Sequence, residues 1–328
     1  MTGSTLAVAA EGLRKRYGDK YALDGFDLSV PQGTVCGLLG PNGAGKTTSV
    51  RILATLLKLD EGRATVAGYD VVSQAAQVRH RIGLVGQNAA VDEVLSGYQN
   101  LVMFGRLYHL STAAAKKRAV DLLDQFSLSE TGKKQVKAYS GGMRRRLDLA
   151  ASMILAPAVL FLDEPTTGLD PRGRNEVWQA IRELVDKGTT VLLTTQYLDE
   201  ADQLANQISV LANGKVIAEG TPSELKSQVG GDRIDVVLHN AGDLTIAGHA
   251  LARFTGAEPH IDRDERMISV QVNNRTNALA GIVRVLDELG TALDDLSLRR
   301  PTLDDVFLHV TGQAMQEKTS KDGQEVKS

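Results

Sequence analysis

The chain has 328 residues, 42% of them hydrophobic and 23% charged, which is enough apolar material for one large domain or two ordinary ones. Its 37 basic and 40 acidic residues give a net charge of −3, which argues against a dedicated nucleic-acid-binding protein. The one cysteine, Cys36, excludes an internal disulfide framework and a cysteine-rich metal site. The longest uncharged apolar run, Leu149 to Leu162, is too short to span a bilayer, so any membrane association is expected to be peripheral.

Short β-rich runs alternate with helical stretches through the first two thirds of the chain. The predicted strands are Thr34–Leu39, Ile82–Val85, Val159–Leu162 and Thr190–Thr194. The predicted helices are Arg51–Leu57, Ala113–Phe126, Arg145–Leu155 and Arg174–Val185. Strands that alternate with helices indicate βαβ units, so the sequence predicts an α/β domain with a mainly parallel sheet.

The composition changes near Thr221-Pro222, and we place a domain boundary there. Residues 1–221 carry 25 basic and 23 acidic side chains, whereas residues 222–328 carry 12 and 17. Residues 222–312 are predicted to form a small α+β domain with βαββαβ order. Its predicted strands and helices are Ile234–Leu238, Leu244–Phe254, His260–Ile261, Met267–Val272, Ala278–Leu289 and Leu296–Leu298, followed by a short helix over Leu303–Val310. The polar residues 313–328 are expected to be a disordered tail.

The strongest local signal is a glycine-rich segment that fits the pattern G-x-x-x-x-G-K-[ST]. Its glycines let successive backbone N–H groups point at one anion, Lys46 supplies a positive charge for the β- and γ-phosphates, and the Thr47 hydroxyl suits Mg²⁺. An apolar strand leads into the segment, and a helix is expected to begin at about Gly45 with its positive end towards the phosphates. The expected nucleotide-binding residues here are Gly40, Pro41, Asn42, Gly43, Ala44, Gly45, Lys46, Thr47 and Thr48.

A second phosphate-site element is the apolar run Val159–Leu162, which is followed by Asp163 and Glu164. Asp163 is a hard oxygen ligand suited to Mg²⁺, and Glu164 lies where it could orient or deprotonate an attacking water. By itself, such a run is as often a strand that enters a solvated turn. Together with the glycine-rich segment, the catalytic interpretation is favoured.

The segment Tyr139-Ser140-Gly141-Gly142-Met143, whose Ser140 lies 23 residues before Asp163, resembles the LSGGQ signature of ATP-binding-cassette (ABC) ATPases. The resemblance implies a P-loop ABC-type fold that binds ATP. It also implies that Ser140, Gly141 and Gly142 serve the γ-phosphate held by a second subunit. Since this chain has one phosphate-binding segment and one signature, the expected assembly is a homodimer with two ATP molecules sandwiched between the subunits.

Further positions match the ABC family in order along residues 1–221. Tyr17 matches the aromatic residue that stacks on adenine, although without the family it would be interpreted as a tyrosine at a strand end. Gln87 matches the glutamine that reaches Mg²⁺ and the attacking water and senses the membrane partner. Asp170, in Gly168-Leu169-Asp170, matches the loop that crosses to the opposing site. The implied Mg²⁺ ligands are Thr47, Gln87 and Asp163.

One position departs from the ABC family. Where the family usually has a histidine that contacts the γ-phosphate, this chain has Gln196. A glutamine amide can donate a hydrogen bond but cannot carry a positive charge or relay a proton. We therefore assign the catalytic step to Glu164 and only a positioning role to Gln196. The basic residues near the signature (Lys133, Lys134, Lys137 and Arg144–Arg146) are expected to form a solvated face rather than to bind phosphate.

Three segments look like those of the daunorubicin/doxorubicin-resistance ATP-binding proteins: Gly97–Leu107, Tyr139–Asp148 and Leu192–Asp202, and the C-terminal stretch Leu303–Leu308 is also similar. This resemblance implies the ATPase subunit of an exporter for a hydrophobic drug or secondary metabolite. It also implies a separate polytopic permease of the ABC-2 type and a peripheral location on the cytoplasmic face of the membrane. Asn88–Leu110 is where ABC subunits usually meet that partner, although its apolar residues are equally compatible with helical core.

The alternative is a non-transport ABC ATPase that acts on ribosomes or DNA. Such proteins typically carry tandem cassettes, long coiled-coil insertions or zinc-binding cysteines, none of which occurs in this sequence. The C-terminal domain is predicted to be either a regulatory or dimer-stabilising module or a passive packing domain.

Overall fold

The computed structural model describes residues 5–229, 232–272, 275–299 and 301–310. The chain divides into two compact units, Met1–Pro222 and Ser223–Ser328. The predicted tail, residues 313–328, lies outside the described residues. Within the described ranges, each helix is too short or too polar to cross a bilayer.

Ten strands of the first unit form two sheets. In chain order they are β1 (Leu6–Tyr17), β2 (Lys20–Pro31), β3 (Val35–Leu39), β4 (Glu61–Val66), β5 (Tyr69–Asp70), β6 (Ile82–Val85), β7 (Val159–Asp163), β8 (Thr190–Thr195), β9 (Gln207–Ala212) and β10 (Lys215–Gly220). The larger sheet has the order β10-β9-β3-β8-β7-β6, and only its edge strand β10 is antiparallel to its neighbour. The carboxyl ends of β3, β8, β7 and β6 therefore meet at one edge of the sheet.

Both faces of this sheet are covered, because its central strands are buried along their whole length. Alternate residues of β7 belong to opposite cores: Leu160 and Leu162 pack in one, and Val159 and Phe161 in the other. Such continuous apolar runs, without alternation, are typical of parallel strands. The strand predictions for β3, β6, β7 and β8 agree with the structure to within one residue at each end.

The helices of the first unit connect these strands. They are α1 (Lys46–Leu53), α2 (Ala75–Arg79), α3 (Gly97–Leu107), α4 (Thr112–Gln125), α5 (Gly141–Ser152), α6 (Pro171–Asp186) and α7 (Leu198–Leu204). Helix α8 (Pro222–Val229) follows β10, and all of it except Pro222 belongs to the second unit. The prediction of a helix over Arg51–Leu57 is wrong, because α1 begins directly after Gly45 and ends before Thr55, whose φ of 62° is left-handed. The predicted start at about Gly45 is correct.

The sequence did not predict the second sheet of this unit, which is antiparallel with the order β2-β1-β4-β5. Strands β1 and β2 form a hairpin closed by Gly18 and Asp19, but their register shifts at four places. Each shift breaks the period-two alternation by which a strand is recognised, and Gly12, with φ of 58°, lies within one of them. The first unit is therefore less parallel than predicted.

The second unit contains one antiparallel sheet with helices packed against it. Its elements are β11 (Asp232–Leu238), α9 (Leu244–Thr255), β12 (His260–Asp262), β13 (Met267–Val272), α10 (Arg275–Glu288) and β14 (Leu293–Arg299), and residues 303–310 are also helical. The strand order β12-β13-β11-β14 and the βαββαβ sequence are those of the ferredoxin-like arrangement. One face of β11 (Ile234, Val236 and Leu238) forms the core with residues of both helices.

Candidate functional site

The glycine-rich segment lies between the carboxyl end of β3 and the start of α1. Gly45 is the N-cap of α1 with φ of 113°, and a Cβ on it would collide with the Ala22 carbonyl oxygen. A Cβ on Gly40 would likewise collide with the Leu211 carbonyl oxygen. Glycine is therefore required at both positions by close approach of the backbone, and at Gly45 also by its conformation. The sequence predicted this turn, but the neighbours that enforce it come from β2 and β9.

Lys46 is 5% exposed, and its side chain folds back over the glycine-rich segment. Its Nζ donates to the carbonyl oxygens of Gly40 at 2.7 Å and Pro41 at 3.2 Å. Burial lowers the pKa of Lys46, and the nearby carboxylates of Glu164 and Asp163 oppose this effect. A phosphate anion beside the ammonium group would stabilise its charged form further.

Asp163 ends β7 beside the start of α1, where two hydroxyl groups meet its carboxylate. Thr47 Oγ1 lies 3.1 Å from Asp163 Oδ2, and Thr194 Oγ1, at the end of β8, donates to Asp163 Oδ1 at 2.5 Å. Oxygen ligands that share one Mg²⁺ lie about 2.9 Å apart in octahedral geometry, so Thr47 and Asp163 fit a common magnesium ion. Thr194 was not among the site residues predicted from the sequence, because its contact with Asp163 depends on the pairing of β7 with β8.

Glu164 follows Asp163 with φ of 51°, a left-handed conformation that non-glycine residues seldom adopt. Its N–H donates to the Thr194 carbonyl oxygen at 3.0 Å. This turn directs the Glu164 side chain into the same cavity as Lys46 and Thr47, a cleft of about 390 Å³. Two acidic residues adjacent in sequence are thereby separated: Asp163 contacts Thr47, and Glu164 lines the open space.

The cavity is also lined by the predicted adenine-stacking residue and the predicted glutamine. Tyr17, 51% exposed at the end of β1, and Gln87, directly beyond β6, lie on it together with Asn42, Gly43, Gly45 and Thr48. Ala22 also lines the cavity, and no sequence signal distinguishes it. The structure thus brings together Tyr17, Gln87, Glu164 and the glycine-rich segment.

The signature residues lie elsewhere and do not line this cavity. Ser140 is the N-cap of α5, and its Oγ accepts a hydrogen bond from the Met143 N–H at 3.2 Å. Asp170 is the N-cap of α6, and its Oδ1 accepts from the Gly173 N–H at 3.0 Å. The two helix starts are close, because a Cβ on Gly142 would lie 3.1 Å from Gly173 Cα. Ser140 and Gly141 are exposed, so the start of α5 is open to solvent.

Gln196 follows β8 and is exposed. It does not line the cavity, whereas Glu164 does. The neighbouring Tyr197 donates its N–H to Thr195 Oγ1 at 2.9 Å, and the Arg174 guanidinium lies 5.9 Å from the centre of its ring. Arg174 also pairs with Asp199 at 3.2 Å. Residues of α6 thus hold the segment that carries Gln196.

The interpretation of the basic cluster as a solvated face is wrong for Arg145, which is 6% exposed. Its guanidinium donates to main-chain carbonyl oxygens and pairs with Asp148, itself 4% exposed. Arg146 is also largely covered, and it donates to the Phe126 carbonyl oxygen and pairs with Glu176. Their positions in the sequence of α5 do not indicate that tertiary contacts bury these arginines.

Glu200 is a fully buried carboxyl group beneath the loop that follows Glu164. Its Oε1 accepts hydrogen bonds from Thr166 at 2.8 Å and from Trp178 at 3.1 Å. Burial raises the pKa of Glu200 above its ordinary value of 4.5, and hydrogen bonds from Thr195, Thr166 and Trp178 partly oppose this. The folded protein therefore holds this proton more tightly than the unfolded chain does.

We expect Glu200→Gln to change the pH dependence of stability. In the native chain, the favourable contribution of the Glu200 proton is fully present below pH 4.5 and is lost as the pH rises through the raised pKa. The variant has no such proton, so its free energy of unfolding relative to the native chain should increase between pH 4.5 and pH 8. Urea denaturation across this range measures the difference, and the exposed Glu130→Gln is the control. A difference that stays constant with pH would contradict the prediction.

Similarity to known proteins agrees with this geometry along both units. A family model described as ABC transporter matches residues 23–167, and one described as ATP-binding protein DrrA1-3-like, C-terminal domain, matches residues 220–311. Daunorubicin resistance ATP-binding protein DrrA3 of Streptomyces coeruleorubidus is 62% identical over 93% of this chain and 96% of its own length. Daunorubicin/doxorubicin resistance ATP-binding protein DrrA of Streptomyces peucetius is 48% identical over 99% of this chain and 98% of its own. The solved structure of cbiO1 from Clostridium perfringens, described as part of the ABC transporter complex cbiONQ, is 28% identical, with a TM-score of 0.64 over 68% of this chain and 91% of its own.

Proposed function

This chain belongs to the ABC transporter ATP-binding proteins of the DrrA type, and from that premise we propose that it powers export of a hydrophobic drug or secondary metabolite through a separate membrane subunit. It is an ATP hydrolase. The proposed substrate class rests on the relatives named for resistance to daunorubicin and doxorubicin, whose similarity extends over nearly the whole chain. We propose that the membrane subunit is of the ABC-2 type and that this chain is peripheral on the cytoplasmic face.

The observation that carries the proposed mechanism is the meeting of Lys46, Thr47, Asp163 and Glu164 at the carboxyl ends of β3 and β7. Lys46 would bind the β- and γ-phosphate oxygens, and the N–H groups at the start of α1 would bind the same anion. Glu164, on the cavity, would orient the attacking water and accept its proton. Thr47, Asp163 and Gln87 would hold Mg²⁺, which neutralises phosphate charge when bound.

The exposed start of α5 supports pairing of two chains. Ser140, Gly141 and Gly142 do not line the chain's own cavity, yet they form a helix N-terminus suited to an anion. In the proposed homodimer these residues meet the γ-phosphate held by the second chain, and Asp170 approaches the same site. ATP would then close the dimer, and hydrolysis would allow it to open.

The alternative function, a non-transport ATPase acting on ribosomes or DNA, has less support. Relatives that are 48–62% identical over nearly the whole chain are named for resistance to daunorubicin or doxorubicin. The net charge of −3 gives no surplus of basic residues for a phosphate backbone.

We expect a stoichiometric polytopic membrane protein to copurify with the tagged chain from native membranes in mild detergent. The untagged chain is the control for nonspecific capture. Mass spectrometry of the purified complex identifies the partner and thereby the component in which substrate contacts can be sought. Recovery with ribosomal or DNA-associated proteins and without a membrane protein would overturn the transport proposal while leaving the ATPase assignment in place.

A further inference from the structure

The buried guanidinium of Arg145 joins three segments that approach the nucleotide cavity. Its Nε donates to the Pro165 carbonyl oxygen at 2.6 Å, and its Nη1 donates to the Gly86 carbonyl oxygen at 2.7 Å. Its Nη2 lies 3.2 Å from the Glu164 carbonyl oxygen and 3.4 Å from that of Asp163. A single side chain on α5 therefore bonds the main chain directly before Gln87 and on both sides of Glu164.

Asp148, one turn further along α5, extends this connection. Its Oδ2 lies 3.4 Å from Arg145 Nη1, and its Oδ1 accepts a hydrogen bond from the Ala90 N–H at 3.0 Å. Arg145 holds residue 86 and Asp148 holds residue 90, so the pair fixes both ends of the short segment that contains Gln87. This buried ion pair is completed by main-chain groups, which offset the cost of removing its charges from water.

The hydrogen bonds from Arg145 matter for Glu164 because the Glu164 backbone is in a left-handed conformation, with φ of 51°. Such a conformation is strained for a non-glycine residue and persists only when its surroundings enforce it. The Thr194 carbonyl oxygen accepts from the Glu164 N–H on one side. On the other side, Arg145 binds the carbonyl oxygens of Asp163, Glu164 and Pro165.

We infer that Arg145 is a positioning residue that sets Glu164 and Gln87 relative to each other. This inference rests on the proposed function of these two residues. Arg145 lies five residues beyond Ser140 on the same helix, α5. A shift of α5 would therefore change the positions of Glu164 and Gln87 in the chain's own site. Arg145 itself does not line the cavity.

Arg145→Lys tests the inference because lysine keeps the positive charge but lacks the planar guanidinium group with its several N–H donors. One ammonium group cannot reach the Gly86 and Pro165 carbonyl oxygens with the same geometry. We expect kcat for ATP hydrolysis to fall by about 10- to 100-fold, while the Kd for a fluorescent ATP analogue changes by less than about threefold. The matched control is Arg118→Lys, since Arg118 also donates to carbonyl oxygens, those of Met153 and Ile154, away from the cavity. This control should retain the kcat of the native chain.

A double-variant cycle separates positioning from a general structural role. If Arg145 acts through the Gln87 segment, Arg145→Lys should reduce kcat much less in a Gln87→Ala background than in the native one. Equal fold-reductions in both backgrounds, or an unchanged kcat in Arg145→Lys, would overturn the inference. A native chain that does not hydrolyse ATP would instead refute the proposed function itself.

Asp148→Asn provides a second test should Arg145→Lys not fold. Asparagine keeps an oxygen for the Ala90 N–H but removes the charge that faces Arg145. A reduction of kcat in this variant of about threefold or more, with unchanged Kd for the ATP analogue, supports the inference. A kcat equal to that of the native chain would contradict it.

Discussion

Glu164→Gln is expected to reduce ATP hydrolysis by about 1,000-fold while ATP binding stays within about twofold of the native chain. Glutamine has nearly the same shape and keeps the hydrogen-bond acceptor that faces Thr167, but it cannot accept the proton of an attacking water. The contacts that would bind phosphate, from Lys46 and the start of α1, are unchanged. Phosphate release measures hydrolysis, and fluorescence of an ATP analogue measures binding.

The control for this prediction is Gln196→His, which restores the residue type usual in ABC ATPases. Gln196 is exposed beyond β8 and does not line the cavity, so hydrolysis should be retained in this variant. Rapid steady-state hydrolysis by Glu164→Gln would refute the ranking of Glu164 above Gln196. A loss of hydrolysis in Gln196→His would show that Gln196 does more than position the nucleotide.

Ser140→Asp in the Glu164→Gln background is expected to abolish the ATP-dependent dimer while each chain still binds ATP. Aspartate is as good an N-cap as serine, so α5 should still begin at Gly141 and the Met143 N–H should keep its acceptor. Its negative charge would then oppose the γ-phosphate held by the second chain. Juxtaposed like charges cost several kcal/mol, which corresponds to a dimer dissociation constant raised at least ~100-fold.

Ser140→Asn is the matched control because it caps the helix equally well without a charge. Its dimer dissociation constant should rise by less than about tenfold. Sedimentation with and without ATP measures the dimer, and the fluorescent analogue measures binding by the single chain. Equal dimerisation of the aspartate and asparagine variants would contradict the sandwich arrangement. Loss of ATP binding by the single chain would place Ser140 at the chain's own site instead.

Local patterns in the sequence were sufficient for much of the fold. Continuous apolar runs predicted the strands β3, β6, β7 and β8, and the order of elements predicted the βαββαβ succession after residue 221. The period-two signal failed for β1 and β2, because bulges shift the register of the hairpin. The helical signal misplaced α1, since its first turn belongs to the glycine-rich segment.

The residues of the candidate site were likewise predicted only where a local motif contains them. Local motifs predicted Lys46, Thr47, Asp163 and Glu164, because phosphate-binding turns and strand ends are encoded within a few adjacent residues, whereas Gln87 was assigned only by its resemblance to the ABC family. Thr194, Glu200 and Arg145 could not be assigned in this way. Their importance depends on neighbours that are 18 to 59 residues away along the chain.

The sequence by itself therefore determined which residue types form the phosphate-binding turn and the adjacent carboxylates Asp163 and Glu164, since each of these motifs lies within a few consecutive residues. Only the tertiary structure decided which charged side chains are buried and what they hold. Arg145 and Arg144 are adjacent on one helix, yet Arg145 is enclosed among carbonyl oxygens while Arg144 pairs with Glu93 at the surface. The physical reason is that burial is a property of packing between distant segments, which no local pattern of polar residues records.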